Sequence, residues 1–375
     1  MREVAVAVIG GGIVGMCAAL ELAREGEQVI VLDDAGRLSG SSANAGSLHV
    51  QMQSRFIRMY PDQVPGLERS LPLYVAAARR WAELEKELGT SFELKASGGL
   101  MVAETPESYE FLARKCAREA ELGLDVAMIG RNELRSIAPY LGDSVIGAEL
   151  CAHEGKLNPL LANRAIREAL LALGGAIEGA ARVERIERDG AAWVLHMAAG
   201  AIRAGRVIVA AGAGTGALLA PLGLRVPTVA EPLHMNITEA TRPVLNHLVQ
   251  HAERMITLKQ LASGHVVVGG GWPARIEAGH PTVELSSLTG NLGLAAHLVP
   301  GIASLRLLRT WAGINTTGDG QCVLGEAPGC PGLFLAVPGD AGYTLGPLVG
   351  RLAAAALRGG DAGFDIARFS AARFA

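Results

Sequence analysis

Gly10, Gly12 and Gly15 stand in the spacing G-x-G-x-x-G within "VIGGGIVGM", and the acidic pair Asp33–Asp34 follows. In that pattern the first glycine permits a tight turn and the second lets a pyrophosphate reach the backbone. The third lets a helix pack close on a strand. Ile13 and Val14 stand with these glycines at the phosphates, on the positive end of the helix that follows. Asp33, with Asp34 beside it, is about twenty positions on, where an acid holds ribose hydroxyls. The chemistry implied is dinucleotide binding.

The elements that must position these residues form a βαβ unit. The run Val4–Leu20 carries no charged side chain, so a membrane span or an export signal competes with the nucleotide loop. Glycine weakens a helix by roughly 1 kcal/mol per residue, so Gly10, Gly11 and Gly12 break the run rather than core it. Val4–Ile9 is predicted as a buried strand, a helix follows Gly12, and Val29–Leu32 is a second strand. After the polar loop "AGRLSGSSANAG", the alternation of "SLHVQMQ" predicts a half-buried strand.

Helical periods recur at Val75–Leu88 and Tyr109–Leu122, and Asn158 with Pro159 opens a helix that stops at Gly174. Strands are expected at Arg182–Arg188, Trp193–His196, Arg206–Ala211, through Val226–Gly271, and at Leu333–Val337, before a C-terminal helix. The pattern is α/β: a Rossmann-like nucleotide domain assembled from separated segments, with an inserted antiparallel-sheet domain of α+β character. The expected segments are 1–80, 145–222 and 305–375 for the first, with 81–144 and 223–304 for the second.

Half of the 375 residues are hydrophobic and 19% are charged, which supports a large core and excludes a disordered chain. A net charge of −3 gives no basic footprint for nucleic acid. Five scattered cysteines, without a C-x-x-C, exclude an iron–sulfur or zinc motif, so no metal is expected. With no second apolar run of membrane length and no basic leader, the expected location is the cytoplasm. Glycine numbers 48, well above a usual share of about 7%, and clusters at 10–15, 269–271 and 339–346. A ligand met near both ends of the chain and at "RVIVAAGAG" in the middle is long, and FAD is the natural candidate.

The motifs "VIGGGIVGMCAALELAREGEQVIVLD", "SGSSANAG", "VIVAAGAGTG", "GHVVVGGGWPA", "RTWAGINTTGDGQCVLG" and "VPGDAGYTLGPLVGRLAA" together resemble the D-amino-acid oxidase superfamily of FAD enzymes. The likeness spans essentially the whole chain. Within it, "TLKQLASGHVVVGGGWPA" and "SSANAGSLHVQMQ" look most like the flavin β subunits of heteromeric opine, proline and hydroxyproline dehydrogenases and of hydrogen cyanide synthase. The FAD is expected to be non-covalent, since neither Cys322 nor Cys330 sits within "GDAGYT", and the resemblance implies contacts residue by residue. Ser41, Ser42, Asn44, Ala45, Gly46, Ser47 and Leu48 are expected along the pyrophosphate and ribityl chain, and Val183 at the adenine. Ala211, Gly212 and Gly313 are expected to close the pocket. Gly339, Asp340, Gly342, Tyr343, Thr344 and Leu345 are expected to turn backbone N–H groups to the pyrimidine edge of the flavin, where preorganised donors stabilise the charge that reduction develops.

The sequence departs from the family at two points. Where many relatives hold the substrate carboxylate with an Arg after W-A-G-x, this chain has Asn315, which makes no bidentate charged pair. Arg55, Arg58, Lys259 and Arg309 are the alternative cations, each more readily read as a surface charge or structural pair. Where the monomeric sarcosine oxidase branch carries an oxygen-activating Lys, the matching position is Val267. His49, His234 and Tyr343 are the remaining pocket candidates, with no Asp or Glu obvious among them. The implied activity is oxidation of the C–N bond of a secondary amine or α-amino acid (an opine, proline or hydroxyproline) by hydride transfer to flavin N5. Electrons are expected to pass to a partner subunit that carries a redox centre. A glycine- or sarcosine-type oxidase using O2, and a non-catalytic electron-relay subunit, stay open as alternatives.

Overall fold

The computed structural model describes residues 1–34 and 39–375, so the first part of the expected "AGRLSGSSANAG" loop lies outside the described residues. The chain opens with β1 (Arg2–Ile9), α1 (Ile13–Arg24), β2 (Val29–Leu32), β3 (Ser47–Leu48), α2 (Ser54–Met59) and α3 (Val64–Leu88). It continues through β4 (Gly99–Ala103), α4 (Pro106–Glu121), β5 (Val126–Gly130), α5 (Arg131–Ile137), β6 (Gly147–Cys151), β7 (Gly155–Lys156) and α6 (Pro159–Ala172). Next come β8 (Ala176–Glu178), β9 (Val183–Asp189), β10 (Ala192–Met197), β11 (Gly200–Val209), α7 (Thr215–Leu219), β12 (Val229–Ala240), β13 (Leu248–His251), β14 (Thr257–Gln260) and β15 (His265–Gly269). It closes with β16 (Arg275–Glu277), β17 (His280–Thr282), α8 (Leu285–Leu298), β18 (Leu307–Thr317), β19 (Val323–Glu326), β20 (Leu333–Val337) and α9 (Gly342–Leu357).

The first sheet runs β19-β20-β11-β1-β2-β8, with the β9–β10 hairpin attached to β11. Its centre is parallel: β20, β11, β1, β2 and β8 all run the same way. A parallel sheet is covered on both faces, so where its strands are buried they are apolar on both sides. β1 shows this directly. Val6 and Val8 enter the core under α1, α3, α6 and α9, while Ala7 and Ile9 enter a second core with Trp193 and Leu195 of β10.

The second sheet runs β18-β12-β15-β14-β13-β4-β6-β5. It is antiparallel as expected except at one joint, where β4 and β13 pair parallel. By hydrogen bonding β6 and β18 belong to this sheet, so the boundaries set at 145 and 305 cut across it. Its core face (Leu100, Ala148, Val249, Leu258, Val266, Val268) packs on Leu134 of α5 and on Leu294 and Leu298 of α8. On the opposite face Met101 and Ala103 pack with Leu112 of α4, and further along the sheet that face borders a cavity.

Local signals explain most elements. Asn158 Oδ1 accepts from the Leu160 N–H and Pro159 opens α6, as its sequence predicts. α3 starts eleven residues earlier than its clear periodicity, because Gly66 and Pro72 obscure a face on which Leu67, Leu71 and Tyr74 are buried. Nothing in the periodicity predicts α8. Its glycines and serines are poor helix formers, and packing supplies the reason it forms: Gly290 lies under the Trp272 ring. "SLHVQMQ" is a strand only at Ser47–Leu48, paired with β7. Beyond it, Val50, Gln51 and Met52 are all buried, because Gln51 finds polar partners inside and need not face water.

α1 and α9 are the most closely fitted helices. A Cβ at Gly350 would come within 2.7 Å of both the Ala18 nitrogen and the Val14 oxygen, which are backbone atoms and cannot step aside. Gly350→Val is therefore expected to force the helices apart and cost about 1–3 kcal/mol by overpacking. Urea unfolding checks this: the midpoint falls at unchanged slope, and an unmoved midpoint refutes the close-contact reading.

Candidate active site

One cavity of about 1580 Å³ runs between the two sheets. Its first end is built by the glycine turn. Gly10 takes φ +106°, and its N–H donates to the Leu32 carbonyl at 2.8 Å. A Cβ there would overlap the Ala210 carbonyl of the neighbouring chain segment, and one at Gly15 would overlap the Gly10 carbonyl. Gly12 differs, since a Cβ on it meets no backbone and has only Ser41 Oγ near, at 3.1 Å. Its missing side chain keeps cavity space open at the start of α1. Ser41 Oγ accepts from the Ile13 N–H at 2.8 Å, fastening the serine loop to that helix end. Asp33 Oδ1 accepts from the Gly11 N–H at 2.9 Å. Arg182 reaches Asp34 at 3.6 Å.

Four further segments, far apart in sequence, complete this half of the lining: Ser41, Ser42, Asn44, Ala45 and Ser47; Val183; Ala211 and Gly212; and Gly339, Asp340, Gly342, Tyr343 and Thr344. Gly10, Gly12, Ile13, Val14, Asp33 and Asp34 line it with them. Five expected contact residues do not. Gly15 serves the strand–helix contact, Gly46 (φ +78°) passes against Leu157, Gly313 passes against Ala43, and Leu48 and Leu345 are core. Each sits next to the cavity in sequence but supports its wall from behind.

Tyr343 lies in the first turn of α9 and not in a loop. Its ring stacks on Trp81 at 5.2 Å and its hydroxyl donates to Asn163 Oδ1 at 2.9 Å. Asn163 in turn donates to the Ser41 carbonyl at 3.1 Å. The tyrosine thus edges the cavity while its polar end is already engaged in holding the serine loop. Thr344 Oγ1 accepts from the His49 N–H at 3.0 Å, tying α9 to the segment after β3.

The other wall is the free face of the second sheet. Alternation along each strand turns Met101, Gln250, Thr257, Lys259, Val267, Gly269, Met235, Leu233 and Glu231 to the cavity. The same alternation corrects the expectation for His234. One residue from Leu233 and Met235, it points to the opposite face and is fully buried, with Thr310 Oγ1 3.5 Å from Nδ1. Asn315, in register with Glu231, does line the cavity.

Asn315 Nδ2 donates to Glu231 Oε2 at 3.2 Å, and Arg55 Nη2 donates to Glu231 Oε1 at 3.0 Å. A carboxylate therefore occupies the neighbourhood where the family's arginine is missing, and it engages Arg55. Together with Asp340, Glu231 corrects the expectation of a pocket without acids. Arg58 is turned to the Phe111 ring and Arg309 to Trp311, so neither lines the cavity. Arg254 lines it and is paired with Glu104.

Lys259 is the residue whose role sequence reasoning missed. It stands directly across from Val267 in the β14–β15 register, so the neighbouring strand brings a cation to the place where the sequence showed none. It is 1% exposed, lines the cavity, and donates from Nζ to Ser47 Oγ at 2.6 Å. Burial, and then the charge of Lys156, push its pKa down to about 7. The signal in the sequence was a lone lysine in a strand of otherwise uncharged residues, "TLKQ".

His49 lines the cavity as expected and is held neutral, its pKa lowered to about 3 by burial and by the charge of Lys259. Its Nδ1 lies 4.0 Å from Glu154 Oε1, too far for a hydrogen bond. Glu154 is itself fully buried and accepts from the N–H groups of Val50 and Gln51 and from the side-chain amides of Gln51 and Gln250. Burial raises its pKa to about 7. Behind it, Lys115 bridges Gln51, Glu119 and Glu149.

The family model described as DAO, FAD dependent oxidoreductase, matches residues 5–356. The chain belongs to this family. Among its curated relatives, a glycine oxidase of Geobacillus kaustophilus (strain HTA426) is 29% identical, over 98% of this chain and 96% of the relative. An opine oxidase subunit of Rhizobium meliloti is 26% identical, over 100% and 98%. The crystal structure of glycine oxidase from Geobacillus kaustophilus superposes with a TM-score of 0.85 at 25% identity, covering 99% of this chain and 98% of that one. L-proline dehydrogenase from P. horikoshii shares the fold, with a TM-score of 0.83 at 22% identity over 100% and 98%.

This DAO-family chain is an FAD-dependent oxidoreductase acting on amines or amino acids. The cavity fits FAD on its own terms: it is large, it meets glycine backbone at Gly10–Gly12, and the N-termini of α1 and α9 both open on it. Among the described residues no cysteine lines the cavity and no group of three His, Cys, Asp or Glu side chains is placed to hold a metal ion. No helix among them is long and apolar enough to cross a membrane.

The three glycines differ in what a side chain would meet, which separates binding from folding. Gly12→Val is expected to yield a folded, colourless protein, its stability within about 0.5 kcal/mol of the flavin-free wild type. Gly15→Val is expected not to fold. Visible absorbance and circular dichroism of the two variants check this, and a Gly12→Val protein that keeps its flavin contradicts the assignment.

Proposed function

We propose that the chain is a dehydrogenase that oxidises the C–N bond of a secondary amine or α-amino acid and passes the electrons to a partner subunit. In this reading Gly10, Gly12, Ile13, Val14, Asp33, the Ser41–Ser47 loop, Val183, Ala211, Gly212 and the Gly339–Thr344 segment hold FAD non-covalently. FAD supplies the two-electron acceptor. The observation that carries the reading is the second wall. Lys259, His49, Gln250, Glu231, Asn315 and Arg55 converge on the same cavity as the glycine turn, a density of polar groups suited to a small charged substrate.

Position rather than covalent chemistry is what these residues contribute. Arg55 is a cation beside the missing carboxylate clamp, oriented by Glu231, which Asn315 holds in turn. The partner subunit is supported by two features. Relatives include components of heteromeric enzymes, an opine oxidase subunit and the beta subunit of a sarcosine oxidase. Met59, Tyr60, Val229 and Ile276, all exposed apolar side chains, ring the cavity and offer a surface to cover.

A second reading, an amine oxidase that uses O2 itself, is favoured by Lys259. A buried cation lies across from Val267, so the argument from a missing lysine no longer weighs against oxygen.

Anaerobic mixing with glycine, sarcosine, L-proline and an opine, followed by admission of air, decides between the readings. Bleaching of the flavin absorbance by one of these amines is expected, with dye reduction at least about tenfold faster than peroxide formation. Peroxide formation at the dye-linked rate would establish the oxidase. Flavin that no amine bleaches would sink both.

A further inference from the structure

Oxidation at a carbon next to nitrogen needs the nitrogen lone pair, and an amine substrate arrives at neutral pH as an ammonium ion. Some group must take that proton, and most of the cavity's titratable side chains are committed elsewhere. Glu231 is shared between Arg55 and Asn315, and Arg254 is paired with Glu104. His49 is half-buried beside a cation, which opposes its taking up a proton. Lys259 stands apart. Its Nζ is buried in the cavity wall, has no carboxylate within ion-pair distance among the described residues, and is anchored only by the Ser47 hydroxyl.

We propose that Lys259 is the catalytic base that takes the proton from the substrate's ammonium nitrogen. This rests on the amine-oxidising reading above. The substrate N–H bond breaks, its electron pair stays on the nitrogen, and a new N–H bond forms at Nζ, so the positive charge passes from substrate to lysine. Two surroundings keep the lysine ready to accept. The β14 strand buries it. Lys156 of β7, in register with Ser47, repels its charge; that lysine is itself held by the Leu245 and Asn246 carbonyls. The remaining titratable neighbours, His49 and behind it Glu154, come from the segments after β3 and β6. A base is most effective when its pKa is close to the working pH, and burial next to a second cation is how a lysine reaches that range.

The sign of the pH dependence follows. The neutral amine is the active form, so flavin bleaching rises about tenfold per pH unit below 7 and levels above it. A lysine that instead held a substrate carboxylate would give the opposite slope. Substitutions separate the roles further. K259M removes the base and K259R keeps the charge but stays protonated. Both are expected to slow bleaching at pH 7.5 by at least about 100-fold and to abolish the limb near pH 7.

The chain has only five lysines, at 86, 95, 115, 156 and 259, which makes a direct titration practical. The flavin-loaded protein is labelled with 13Cε-lysine, and the resonance missing in K259R identifies Lys259. Its expected midpoint is near pH 7, and a midpoint near 10 overturns the proposal without any substrate. The same preparations are then mixed anaerobically with whichever of glycine, sarcosine or L-proline bleaches the wild type fastest, between pH 5.5 and 9.5. A limb near pH 7 that survives in K259M belongs to another group, Glu154 first, and overturns the proposal alone. Full bleaching rates in K259R would make the lysine a fixed cation and also overturn it. If no amine bleaches the wild type at any pH, the amine-oxidising reading fails and the proposal falls with it.

Discussion

The contact between α1 and α9 is the constraint on which the cofactor side of the molecule depends. Both helices begin at the cavity, and both point their positive ends into it. They lie close because Gly346 and Gly350 on one meet Ile13, Val14 and Ala18 on the other. Separate these helices and the glycine turn after β1 no longer faces the segment at Gly339–Thr344. The polar links then build outward from this pair. Tyr343 holds Asn163, Asn163 holds the serine loop, and Thr344 holds the backbone of His49. A site gathered from five separated stretches of chain is thereby fixed to one helix pair.

The second wall obeys a simpler rule. A strand has two faces, and from β18 to β13 one face of this sheet is core and the other is cavity. Register decides which side chains meet the ligand, and a shift by one residue would exchange Leu233 and Met235 for His234. The sheet is joined to the cofactor side by a buried carboxylate. Glu154 accepts from two backbone N–H groups after β3 and from Gln250 on β13, so the segment carrying His49 and the strand beside β14 share one acceptor. Every donor around it is a neutral amide, and four such donors offset much of the cost of burying the carboxyl.

Electrostatics gives the cavity two unlike regions. Near β18, Glu231 draws Arg55 and Asn315 into a paired cluster whose charges largely cancel. Near β3, Lys156 repels the charge of Lys259, neither has a carboxylate within ion-pair distance among the described residues, and burial makes their charged forms expensive. Repulsion of like charges in a dry wall is destabilising, and is retained where chemistry uses it.

The N-terminal unit was legible from its residues alone. Strand, turn and helix at Val4–Leu20 follow from local rules: glycine where the chain must turn and approach, apolar residues where both faces are buried, Asp33 at the strand end. The same holds for α6, with Asn158 and Pro159 at its start, and for β20. These signals are local, and the chain needs no distant partner to express them. What the tertiary structure alone decided is who faces whom. That β6 and β18 join the second sheet, that α8 forms despite its glycines, that Asn315 meets a glutamate, and that Lys259 stands across from Val267 all depend on pairings between residues far apart in sequence. A lysine in "TLKQ" reads the same whether its strand turns it to water or into a wall. Register fixes that choice, and register is set by the packing of the whole sheet.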